Sequence, residues 1–185
     1  MINGIEEIVD PNEMNQKALK YTVIIGGVAL FAYFSIWGFR IDFEFGFLWR
    51  FYIGILIGVV FHEALHAIGF MIFGKVKIKD IKFGVIWKHI TPYAHCKVPL
   101  KINAYRIALL LPVILTGIIP LIIALSIGNG LLFSLSVFLI VGGLGDWIIF
   151  RKIEKYHHTS LIADHPSAIG CIVYQEGIPK DTGSD

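Results

Sequence analysis

The run from Phe45 to Phe73 is apolar almost without a break, yet it carries His62, Glu63 and His66. Such a run folds as a buried or membrane-embedded helix, so these three groups need a reason to be there. Each costs about 2.5–3.5 kcal/mol at a bilayer centre even on the lenient insertion scale. On a helix, residues four apart differ by about 40° around the axis and about 6 Å along it. The two imidazoles therefore share a face and can reach one metal ion. Glu63, about 100° further round, can touch a water on that metal. Two ligands and a general base in H-E-x-x-H spacing form the helical half of a zinc hydrolase site. The competing reading is a metal-free pair of hydrogen-bonded histidines, which leaves Glu63 as a third buried polar group without a purpose.

Three more apolar runs cover Tyr21 to Phe39, Ile102 to Ile127 and Leu131 to Phe150. Each meets the length of about 20 residues that crosses the hydrocarbon. Charged residues make up 16% of the chain and apolar residues 56%, whereas soluble domains carry about 25% charged. The expected fold class is therefore an all-α membrane protein of four transmembrane helices. An N-terminal segment (1–20) precedes the four-span domain (21–150), and a tail (151–185) follows it. Gly128-Asn129-Gly130 reads as a tight turn between spans three and four. In the loop 75–101, Val76, Ile78, Ile81, Phe83 and Val85 alternate with Lys77, Lys79 and Lys82, with a slip at Asp80. This predicts two or three short strands, a small β-hairpin element at the membrane surface. It is either a solvated connection or an edge strand, such as Phe83–Trp87, that could hold an extended peptide.

Four spans place both termini and the middle loop on one side. That side holds most of the lysines, while the other holds little beyond Arg40 and Arg50. The positive-inside rule makes it the cytoplasmic side. The expected setting is integral to a lipid bilayer, a plasma membrane of prokaryotic type, with both termini cytoplasmic. The first twenty residues are polar and acidic and lack the basic start of a cleaved signal. The net charge of +2 comes without a basic-aromatic patch, so nucleic acid is not an expected partner. Cys96 and Cys171 match no zinc spacing and are read as reduced thiols.

A catalytic zinc site usually has three protein ligands and one open position. Asp146, in the fourth run, is the candidate third ligand. By residue count it lies about 6 Å from the end of its span, and His66 roughly 11 Å from the end of span two. Helix tilt could absorb the difference. Gly142, Gly143 and Gly145 would let span four approach closely. Asp146 could instead cap the helix at the headgroups beside Trp147. His89, His95, His157 and His158 read as surface histidines, Asp164-His165-Pro166 as a turn, and Cys171-Ile172-Val173-Tyr174 as a short apolar strand after it. Pro112, Gly117 and Pro120 break the regularity of span three, through packing or to open a water path.

Taken together, His62-Glu63-Ala64-Leu65-His66-Ala67 and Phe73-Gly74-Lys75-Val76 resemble the zinc-binding span and following hairpin of site-2 intramembrane metalloproteases. With Pro92-Tyr93-Ala94-His95-Cys96, the Pro112 span, Gly145-Asp146, Asp164-His165-Pro166 and Gly170-Cys171, the chain more closely resembles a small family of membrane zincin peptidases, over about residues 20–175. The resemblance implies Zn²⁺ on His62, His66 and Asp146, with Glu63 activating water. Span four departs from the site-2 pattern, for Asp146 follows Gly-Gly-Leu-Gly and precedes Trp147. The expected function is zinc-dependent hydrolysis of a peptide bond in or near the membrane, in a membrane protein or peptide substrate. Two other classes compete: a non-proteolytic membrane binding or regulatory protein with a structural metal, and a small transporter, which the lack of repeat symmetry disfavours. The sequence does not identify the substrate or the oligomeric state.

Overall fold

A computed structural model describes residues 4–38, 45–86 and 91–175. The chain is mostly helical, with two small antiparallel sheets. Strand β1 (Ile5–Ile8) leads into helix α1 (Pro11–Trp37), and helix α2 (Phe45–Gly74) follows. A 3-10 turn (Ile78–Asp80) then gives way to strands β2 (Ile81–Ile86), β3 (Thr91–Cys96) and β4 (Leu100–Lys101). The turn explains the slip in the alternating pattern at Asp80. Helix α3 (Ile102–Pro112), a π-helical stretch (Val113–Ile118) and helix α4 (Ile119–Ile127) form one rod. Helices α5 (Gly130–Gly142) and α6 (Leu144–Ile153) come next, then strands β5 (Leu161–Asp164) and β6 (Gly170–Tyr174).

Among the described residues, three helices are long and apolar enough to cross a membrane: Pro11–Trp37, Gly46–Gly74 and Ile102–Ile127. A fourth crossing requires α5 and α6 to act as one span, although they meet at a 41° bend. This corrects the expectation of an unbroken fourth helix. Apolar side chains such as Phe31, Leu56, Ile57, Val60 and Ile122 face outward and are more than half exposed. Such a belt suits lipid as the surrounding solvent.

Local chemistry sets the helix ends. Asp10 caps α1 by accepting from the amides of Asn12 (2.8 Å) and Glu13 (3.0 Å). The helix therefore begins well before the apolar run does. Gly128 ends α4 at φ +70°, and Asn129 caps α5 through the Leu132 amide at 2.8 Å. A Cβ at Gly128 would lie 2.7 Å from the Trp37 ring, and Tyr33 donates to the Gly128 carbonyl at 3.0 Å. Helix α1 is thus docked on the α4–α5 turn around a core of Ala29, Tyr33, Ala124 and Phe133.

The opposite end is held by a sheet larger than the sequence suggested. Its strand order is β1-β6-β5-β4, so the N-terminal segment, the loop and the tail form one layer. The expectation of an all-α fold is corrected accordingly: the chain is mostly helical, and β4 of the loop and the tail strands share one sheet with the N-terminal segment. The alternating pattern is legible in the loop and the apolar run Cys171–Tyr174 in the tail, but β1 is short and finds its partner, β6, only at the far end of the chain. Arg106 ties this end to the bundle. Its Nη2 donates to the carbonyls of Ile153 (2.7 Å), Glu154 (3.1 Å) and Tyr156 (2.9 Å) at the end of α6. These are the carbonyls a helix terminus leaves without intrahelical donors. Glu7 of β1 accepts from the Tyr156 hydroxyl and from Lys155 Nζ at 2.7 Å.

Gly170 is the tightest point of this sheet. Its φ is +148°, and a Cβ there would lie 2.1 Å from the Glu7 carbonyl oxygen and 2.9 Å from Ile8 Cα. Gly170→Ala should therefore destabilise the protein by about 2 kcal/mol or more, from backbone strain plus a clash with backbone. Thermal unfolding in detergent reads this directly. An unchanged midpoint would show that β1 does not pack on β6 as described.

Candidate metal centre

Helix α2 carries both histidines on its inward face, where His62 and His66 are buried among Leu65, Ala67 and Phe70. Their ring centroids lie 5.0 Å apart, as i,i+4 spacing dictates. The Nε2 atoms converge on one carboxylate oxygen, Asp146 Oδ2, at 3.0 Å from His62 and 3.4 Å from His66. The other ring nitrogen of His66, Nδ1, lies 2.9 Å from the carbonyl of Ala108. A carbonyl only accepts, so Nδ1 carries the proton there and Nε2 is the atom turned to Asp146.

The break between α5 and α6 brings Asp146 here. Asp146 lies in the first turn of α6, just past the bend after Gly142. Asp146 therefore reaches the histidines from beyond a 41° bend and not along a straight helix. Gly143 lets it happen, because a Cβ there would meet Val113 Cγ2 at 2.3 Å and His62 Cε1 at 3.3 Å. The Asp146 side chain is 19% exposed and faces the histidines, which removes the reading in which it caps the helix at the headgroups.

Glu63 completes the cluster. Among the described residues, the ligand atoms of His62, Glu63 and His66 lie within 4.8 Å of one another. The Glu63 carboxylate also takes a backbone hydrogen bond from Ala94 of β3. The donor set fits Zn²⁺. Bonds of about 2.0–2.1 Å in a tetrahedron put neighbouring ligand atoms about 3.3–3.4 Å apart. The 3.0 and 3.4 Å separations at Asp146 Oδ2 are close to that spacing.

A family model described as "putative zincin peptidase" matches residues 55–161. The chain belongs to this family. The matched segment runs from α2 past α6 and so contains all four clustered residues, His62, Glu63, His66 and Asp146. Membership makes the protein a metallopeptidase by family and zinc its implied metal. No curated protein and no solved structure matches the chain.

The zincin cluster opens into a cavity of about 820 Å³. Its lining includes apolar side chains of α2 and α5, among them Val59, Phe138, Leu139 and Val141, and the polar Tyr93, His95, Asp164 and His165. Among the described residues, strand β3 contributes Pro92 to His95, and β2 contributes Lys82. Strand β3 therefore borders the site; of the expected Phe83–Trp87 segment, Trp87 lies outside the described residues, as does His89. His157 and His158 lie away from the cavity, on the exposed stretch after α6.

Sequence reasoning missed three groups around the site. The first is the Ala108 carbonyl, since backbone atoms carry no residue signature. The second is the Ala94 amide, for the same reason. The third is Asp164, read as part of a turn. It lies at the end of β5 and accepts from the Tyr105 hydroxyl and from the Cys96 amide at 2.6 Å. Burial lifts its carboxyl above the usual range, against these two donors. Asp164 thus fastens β3 to α3 and β5 beside the cavity. Burial also raises the thiols of Cys96 and Cys171, to about 11 and about 12. Both are protonated and free at neutral pH.

Proposed function

We propose that this zincin is a membrane-embedded zinc peptidase that hydrolyses a peptide bond in or near the bilayer. The observation that carries the reading is the convergence of two imidazole Nε2 atoms and one carboxylate oxygen beside Glu63, in a cavity lined by both apolar and polar side chains. The same division, H-E-x-x-H on one span and an aspartate on another, underlies the resemblance to site-2 proteases. His62, His66 and Asp146 would hold the ion. Bound there, Zn²⁺ supplies a lowered water pKa and polarisation of the scissile carbonyl.

The chain's own residues do the rest. Glu63 accepts the proton of the attacking water as the oxygen adds to the carbonyl carbon. It then delivers that proton to the amine as the C–N bond breaks, so water is divided between the two products. A helical substrate hides its carbonyls in i→i−4 bonds, so it must unwind locally. Strand β3 borders the cavity and offers main-chain groups that hold an extended segment. The apolar lining takes the membrane-buried part of the substrate and the polar lining its aqueous part. The lysine-rich sheet end is cytoplasmic in this reading, with both termini on that side.

The test is reconstitution into liposomes with a panel of single-span peptides, followed by chelation and zinc re-addition. Cleavage should disappear with the metal and return with one Zn²⁺ per chain. Reporters at position 175 and at Asn129 should give cytoplasmic and external signals respectively. One zinc per chain without cleavage of any membrane peptide would favour a structural metal in a binding protein instead.

A further inference from the structure

We propose that Pro112 is a positioning residue of this centre. Having no N–H, it leaves the Ala108 carbonyl open to His66 Nδ1 and so dedicates His66 Nε2 to the metal. In a regular helix the carbonyl of residue 108 accepts from the amide of residue 112. Proline has no amide hydrogen to give. The next amide, Val113, turns to the Leu110 carbonyl. The Ala108 carbonyl is thus open on its α2 side, and His66 Nδ1 fills the vacancy at 2.9 Å.

Two further features make the contact possible. Gly69 lies three residues after His66 and so on the same face of α2. A Cβ at Gly69 would lie 2.8 Å from both Cα and Cβ of Ala108, so α2 and α3 meet there at backbone distance. The π-helical stretch begins directly after Pro112, at Val113, and packs on α5. Val113 in turn touches Gly143 at the break that carries Asp146. One proline therefore opens the acceptor for His66 at the start of the irregular segment that faces the third ligand.

The consequence is a fixed tautomer. A carbonyl partner forces the proton onto Nδ1, which leaves the Nε2 lone pair aimed at the site. A ligating histidine whose second nitrogen is held in this way is oriented and made more basic, and loss of such a partner typically costs about 10–100-fold in metal affinity. The inference rests on the reading of the cluster as a zinc site, but the hydrogen bond can be observed without metal.

The experiment compares wild type, Pro112→Ala, Pro120→Ala and Gly69→Ala as full-length protein in detergent. Pro112→Ala supplies the missing amide, which competes with His66 for the Ala108 carbonyl. Pro120→Ala makes the same chemical change two turns further along. Gly69→Ala leaves Pro112 in place and pushes α2 off α3. Nitrogen-15 histidine spectra, with His66 assigned by His66→Gln, report the Nδ1 proton and its exchange with water. Zinc affinity is read by competition with a chelating dye.

Wild type and Pro120→Ala should show a protected Nδ1 proton on His66. Pro112→Ala and Gly69→Ala should lose that protection and bind zinc about 10–100-fold more weakly. Pro112→Ala with a protected proton and wild-type affinity would overturn the proposal. So would Gly69→Ala matching wild type in both readouts, should Pro112→Ala fail to fold. A protected proton in a wild-type protein that binds no zinc would keep the hydrogen bond and refute the metal reading.

Discussion

Glu63→Gln should retain zinc and fold and lose turnover by about 10²–10⁴-fold, the usual cost of removing a general base. The substitution keeps the shape of the side chain. The amide oxygen can still accept from the Ala94 backbone, so the contact between α2 and β3 survives. What the amide cannot do is take a proton from water at neutral pH. Neither His62 nor His66 replaces it, because the Nε2 atoms of both face Asp146. Zinc content, the circular dichroism spectrum and kcat on one verified peptide decide the matter together. Full activity with bound zinc would end the proposed mechanism, whereas a binding protein predicts a wild-type cellular phenotype for this variant.

Asp146→Ala should weaken zinc binding by more than about 100-fold. Losing even an outer-shell partner typically costs about 10–100-fold, and this residue faces both histidines with one oxygen. Two imidazoles and water make a poor site for an ion that takes three protein ligands in catalytic centres. Competition with a chelating dye at fixed pH measures the change. Unchanged affinity would mean that a different group completes the site. Asp164 and His165, which line the same cavity, are the first places to look.

The sequence made the centre legible because its chemistry is local. His62, Glu63 and His66 occupy one and a bit turns of one helix, so spacing alone sets their faces. Asp146 was legible for another reason, since a carboxylate in an apolar run is costly and needs a partner. The apolar runs marked the long helices for the same solvent-driven reason. Strand β6 was legible as the short apolar run Cys171–Tyr174, whereas β1 and β5 were not. A strand of four residues carries little periodic signal, and β1 is stabilised by a partner more than a hundred residues away, as Glu7 finds Cys171.

Sequence by itself therefore determined the helix-forming segments, the clustered His62, Glu63 and His66, and Asp146 as the carboxylate that could meet them. Tertiary structure alone decided how these meet. It broke the fourth apolar run at Gly143, because only glycine fits against Val113 and His62, and so brought Asp146 to the histidines. It set β3 rather than β2 against Glu63 and joined the N-terminal segment to the tail in one sheet. It also chose the tautomer of His66, through a carbonyl that Pro112 leaves without its own amide. The physical reason is common to all four. Backbone groups and close approaches carry no side-chain signature, so only the packed fold reveals which carbonyl, amide or glycine stands where a functional atom needs it.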